Sequence, residues 1–79
     1  SIDLRGLTTD EAIPLVDKLL DNALWAGLNQ VSLIHGKGTG KLKIGLQGYL
    51  RENHLVKKFR SGEAAEGGDG VTIVELKSN

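Results

Sequence analysis

Between an apolar run, Val31-Ser32-Leu33-Ile34, and a stretch with helical spacing lies His35-Gly36-Lys37-Gly38-Thr39-Gly40. Its three glycines alternate with a histidine, a lysine and a threonine, so the backbone can turn tightly and hand a strand directly to a helix. That succession belongs to layered α/β architectures. The same turn can aim several N–H groups at one point, and a helix then begins there with Lys37 and Lys41 to either side. Amides converging at a helix N-terminus make a site for phosphate.

The rest of the chain supplies matching elements. Ile2 and Leu4 alternate with Asp3 and Arg5, as in a short strand with one apolar face, and Gly6 ends it. Thr8-Thr9-Asp10-Glu11 has the form of a capping box with Thr8 as N-cap; Asp10 is the alternative cap. Ala12, Val16, Leu19, Leu20 and Ala23 then follow at helical spacing, and Gly27 is a natural left-handed stop with Leu28 beyond it. Pro14 removes one backbone bond from this helix. Leu42, Leu46, Tyr49 and Leu50 are spaced for a second helix, weakened by Gly45 and Gly48 at about 1 kcal/mol each. Leu55 to Arg60 predicts a third strand in which Leu55 and Phe59 share an environment, residues 61–70 a glycine-rich acidic loop, and Val71 to Leu76 a fourth strand. The order β-α-β-α-β-β predicts a two-layer α/β (α+β) sandwich: a four-stranded mixed sheet, its first two strands parallel, its last two antiparallel, with both helices packed on it.

A chain of 79 residues is one domain that buries only about 60% of its unfolded surface. Residues 1–79 are expected to form this single domain as a monomer, cut from the C-terminal part of a longer protein. The absence of cysteine excludes disulfides and thiolate zinc sites. Apolar runs of a few residues exclude a membrane span, so a cytoplasmic setting is the expectation. Net charge is zero, but residues 35–60 hold seven cations (Lys37, Lys41, Lys43, Arg51, Lys57, Lys58, Arg60) against Glu52 alone. Such a segment attracts polyanions; the plainer alternative is a solvated basic face.

Parallel first and second strands would end on one edge, where open α/β sheets tend to bind ligands. Asp3, Arg5, His35 and the glycine turn are thus predicted to converge. In that site Lys37, Lys41, Lys43 and the amides of Gly36, Gly38, Thr39 and Gly40 would hold a phosphate, and Arg5 would stabilise transition-state charge. Asp3 or His35 would activate water; Asp3 could instead orient Arg5 or share a divalent ion, magnesium or manganese, with the substrate. The turn is not a Walker motif, because the residue five before Gly40 is His35 rather than glycine. The alternative is an ordinary strand-to-helix turn with surface lysines. His54 is expected on the surface, Asp69 in a turn, and Trp25 opposite the apolar stripe of the first helix as an exposed docking residue or a helix-end packer.

Ile2-Asp3-Leu4-Arg5-Gly6, the hexapeptide from His35 to Gly40, and Gly67-Gly68-Asp69-Gly70-Val71-Thr72 together resemble the three signature segments of the Smr (small MutS-related) domain, over essentially the whole chain. The Asp-Leu-Arg form is similar to that found at the C-terminus of the second bacterial MutS paralogue. The resemblance implies a fold like the C-terminal domain of translation initiation factor three and nicking endonuclease activity on branched or duplex DNA, with RNA as a further substrate and little sequence specificity. It implies an ATPase region in the parent protein, and roles in recombination suppression, DNA repair or the handling of stalled ribosomes through ribosomal RNA. By position it implies cleavage roles for Asp3 and Arg5, contact or catalysis for His35 and Lys37, and nucleic-acid contact for the glycines, Gly67 and Gly68 among them. A binding module that docks an ATPase without cutting is the rival reading.

Overall fold

Thr8 caps the first helix. The Glu11 N–H donates to Thr8 Oγ1 at 3.2 Å and the Thr8 N–H donates to Glu11 Oε1 at 2.9 Å, so two otherwise orphaned donors are satisfied reciprocally. Asp10 lies within the helix, and Pro14 sits at an exposed position where its missing N–H is tolerated. At the other end Gly27 adopts φ +76° and the Leu28 N–H donates to the Ala23 carbonyl, closing the helix as a left-handed glycine does.

In the computed structural model, which describes residues 1–78, the elements are β1 (Ile2–Asp3), α1 (Thr9–Trp25), β2 (Gln30–Ile34), α2 (Lys41–Glu52), β3 (Val56–Ser61) and β4 (Val71–Leu76). The sheet order is β1-β2-β4-β3, with β1 parallel to β2 and β4 antiparallel to both its neighbours. This is the four-stranded mixed sheet and two-helix layer expected from the sequence. Ala12, Val16, Leu20 and Ala23 of α1 and Leu46 and Leu50 of α2 pack with Leu4, Val31, Leu33, Val56, Val74 and Leu76 in one core. Because strand residues alternate between faces, Asp3, Ser32, Ile34, Val71 and Ile73 belong to the opposite face.

Two local features differ from simple periodicity. The register of β3 against β4 shifts between Val56 and Lys58, a bulge that puts Val56 opposite Leu76 and Phe59 opposite Val74. Leu55 lies just before the strand and still packs against the core with Phe59. Gly45, which the sequence presents as a weakness in α2, is required by the contact between the helices. A Cβ there would sit 2.5 Å from Thr9 Oγ1 and 2.6 Å from Thr9 Cγ2.

Residues 61–70 form two short 3₁₀ turns, Ala64–Glu66 and Gly68–Gly70. Arg60 clamps them with a bidentate pair to Glu66, 2.7 and 3.0 Å. The segment ends against the glycine turn: the Gly70 carbonyl accepts from the N–H groups of both His35 and Gly36, at 3.0 and 2.9 Å.

Candidate nucleic-acid interface

Asp3 pairs with Ile34 across β1 and β2, and the Leu4 N–H donates to the Ile34 carbonyl at 2.7 Å. Arg5 therefore emerges beside the start of the glycine turn, on the same side of the chain as Asp3. The Asp3 carboxylate accepts from Arg5 Nε (3.0 Å), from Arg5 Nη2 (2.7 Å) and from the Arg5 backbone N–H (3.0 Å). These bonds hold the Asp3 carboxyl down at about 2, the side-chain bond to Arg5 being the main cause. The pair is solvent-accessible, and the remaining guanidinium N–H donors are left for a ligand.

Arg5 lies against the turn itself. A Cβ on Gly36 would be 3.3 Å from Arg5 Cγ, so the bare glycine lets the arginine stem pass, while its φ of +79° independently favours glycine. Gly38 and Gly40 also have positive φ, and Gly40 is the N-cap of α2. The Gly36 amide is already bonded to Gly70, and the Lys41 N–H donates to Thr39 Oγ1 at 3.3 Å. Gly38 and Thr39 form a tight turn that brings the Gly40 N–H back towards the Lys37 carbonyl, and among the described residues the amides of Lys37, Gly38 and Thr39 find no protein acceptor.

His35, one of the two candidates to activate water, is enclosed by the protein. It is only 6% exposed, and both ring nitrogens are engaged, Nδ1 with the Gly36 carbonyl and Nε2 with Thr72 Oγ1, each at 2.8 Å. A carbonyl can only accept, so Nδ1 carries the proton. The Thr72 hydroxyl, which accepts from Gln47 Nε2 at 3.3 Å, is then placed to donate to His35 Nε2. The imidazole braces the turn from inside the protein. Thr72, Gln47 and Gly70 carry this brace and went unnoticed as site residues in the sequence; only the third signature segment, which contains Gly70 and Thr72, hinted at them.

Gly36 and Lys37 form a ridge between two hollows. One, of about 140 Å³, is lined by His35 to Gly40 with Gly6, Leu42 and Lys43. The other, of about 540 Å³, lies on the sheet face opposite the helices and has Arg5, Lys37 and Gly67 on its walls. Lys41 is exposed at the first position of α2 and lines neither hollow, as does Gly68 in the second 3₁₀ turn. Gly67 has φ +110°, and a Cβ there would meet Val71 Cγ2 at 2.5 Å. Among the described residues no three His, Asp or Glu side chains gather as metal ligands, and Asp3, engaged with Arg5, is the acid beside the turn. His54 is exposed in the turn that follows α2, and Trp25 is 84% exposed. No helix is long and apolar enough to cross a membrane.

The fold is thus a two-layer α/β domain of order βαβαββ, in which two parallel strands end at a basic glycine turn with an arginine held beside it. Residues 2–77 match the Smr domain, and the chain belongs to that family. It is 56% identical over 78 residues to an "Endonuclease MutS2" of Caldanaerobacter subterraneus subsp. tengcongensis, and 58% identical over 76 residues to one of Listeria innocua. Those matches cover 99% and 96% of this chain but 10% of each relative, so the chain spans about a tenth of their length. Among solved structures it superposes on the Smr domain of Thermus thermophilus MutS2 with a TM-score of 0.92 at 45% identity, covering 96% of this chain and 95% of that one. YdaL, a stand-alone small MutS-related protein from Escherichia coli, gives a TM-score of 0.90 at 25% identity, covering 98% of this chain and 63% of the other.

Proposed function

We propose that this chain is a nucleic-acid-binding domain that nicks the phosphodiester backbone of DNA with little sequence specificity, within a MutS-related protein of recombination control or DNA repair. The observation that carries the reading is the packing of the Arg5 stem on Gly36, which sets a guanidinium oriented by Asp3 on the same wall as Lys37 at the edge of the glycine turn. Amides and lysines would grip the phosphate, and Arg5 would meet the charge that develops as the phosphorus becomes pentavalent. The endonuclease names of the relatives support this chemistry.

Asp3 acts in this reading by orienting Arg5. A carboxylate held near 2 is a weak base at neutral pH, and His35 is enclosed. Magnesium or manganese would have Asp3 as its protein ligand only by competing with Arg5 for the carboxylate, a poor fit. The engagement of both base candidates specifically favours a second reading, a module that binds DNA or ribosomal RNA without cutting it and docks an ATPase region of a parent protein. Incubating the purified chain with supercoiled plasmid separates the two. Nicked circles that accumulate with time support cleavage, whereas gel retardation with no nicked product supports the binding module.

A further inference from the structure

The phosphate hollow is too small for more than one anion, but the larger cleft beyond the Gly36–Lys37 ridge has room to spare. Its volume of about 540 Å³ falls among those of small-molecule sites, which run from roughly 300 to 1,000 Å³. Ile34 and Val71 supply aliphatic surface, Ser32 a hydroxyl, and Arg5 and Lys37 the cationic side. The one acid on the wall, Glu66, is already neutralised: both its oxygens bond Arg60, and Oε1 also accepts from the Glu63 N–H. Three wall positions, Gly36, Gly67 and Gly70, have no side chain, so a ligand can approach the backbone closely.

We propose that this cleft receives one unpaired nucleoside of the bound strand while its phosphate rests on the glycine turn. The proposal rests on the phosphate-gripping reading above and names its substrate class: strands that offer a nucleotide out of the stack, as at branches, gaps and single-stranded ends. The base lies between aliphatic side chains and the Arg5 guanidinium, because no aromatic lines the cleft. Contacts of that kind accept any base, in keeping with low sequence specificity. Drawing a nucleotide from intact duplex would first break its pairing and stacking, so perfect duplex is the poorer ligand.

Amide NMR on the 79-residue chain tests this with three probes: inorganic phosphate, 2-deoxyribose 5-phosphate and thymidine 5′-monophosphate. All three should shift residues 37–40. Only the mononucleotide should also shift Ser32, Ile34 and Val71, and the apolar area its base buries should make it bind roughly tenfold tighter than the base-free sugar phosphate. Ser32→Phe, checked for an unchanged fold by its melting curve, should reduce that ratio towards one. If residues 37–40 respond to every probe while the cleft residues stay still, the nucleoside site is overturned and phosphate gripping survives. If residues 37–40 respond to none, the phosphate reading falls and the nucleoside proposal with it.

Discussion

Asp3 ends β1 and Arg5 stands two residues on, in the turn that follows, and their value to the site comes from each fixing the other. Because the folded Asp3 carboxyl lies near 2, below its ordinary 3.8, the folded state binds fewer protons than the unfolded one between those values. The contribution of the pair is therefore complete above about pH 4 and disappears as the pH falls towards 2. Carbon-detected titration of Asp3 should show a midpoint near 2, moving up to the ordinary range in Arg5→Ala; an ordinary midpoint in the parent chain would mean that the pair is not held in solution. His35 poses the opposite case. Its place at the head of the turn is readable in the sequence, but its partner Thr72 stands 37 positions away, and only the pairing of β2 with β4 brings them together. Nothing local distinguishes an exposed imidazole from a bracing one. Thr72→Val should leave His35 and Gln47 without their buried partner and cost about 1–3 kcal/mol in denaturant unfolding, with Thr72→Ser recovering most of the loss. Equal stability of the Val and Ser variants would remove the brace from the account.

Elements differ in how openly the sequence announces them. The first helix declares both its ends, through Thr8 and Glu11 at one and Gly27 at the other, because capping is a local affair. The second helix hides the reason for its glycines. Gly45 serves the close approach of α1, which no local pattern reveals, whereas a Cβ on Gly48 would meet nothing within 4 Å. Gly48→Ala should accordingly raise stability by about 0.5–1 kcal/mol, seen as a higher melting temperature. Gly45→Ala should lower it, because a β-branched Thr9 cannot swing clear; adding Thr9→Ala should restore part of the loss. The helices also meet through Tyr49, whose hydroxyl donates to Asp17 Oδ1 at 2.7 Å and accepts from Asn53 Nδ2 at 2.9 Å. Burial, with Asp17 adding to it, pushes the phenol up to about 12. The folded state then holds its proton where the unfolded chain loses it, so stability should fall as pH rises from 10 towards 12, and this slope should vanish in Tyr49→Phe. The bulge in β3 had no legible signal either, since Leu55 and Phe59 fit an unbroken alternation equally well.

At the scale of the whole molecule, the sequence shows where the basic residues fall along the chain but not which of them are spoken for. Arg60 is clamped by Glu66 and Lys58 lies 3.5 Å from Glu75, so part of the basic segment is neutralised by acids from distant positions. The fold leaves Lys37, Lys41 and Lys43 without ion pairs among the described residues and gathers them around the glycine turn. Binding to a DNA oligonucleotide should therefore weaken steeply with salt, and replacing Lys37 should reduce the slope of log affinity against log salt by about 0.7–0.9. Replacing Lys58 should change it far less. In the proposed function Arg5, oriented by Asp3 beside the glycine turn, stabilises charge on a phosphate undergoing cleavage. The most direct test follows supercoiled plasmid with the parent chain, Arg5→Ala and Arg5→Lys. The account predicts nicking by the parent, a loss of about 10²–10³ in rate for Arg5→Ala, and incomplete rescue by lysine, which lacks the planar fork that Asp3 grips. Nicking by Arg5→Ala at the parental rate would contradict it.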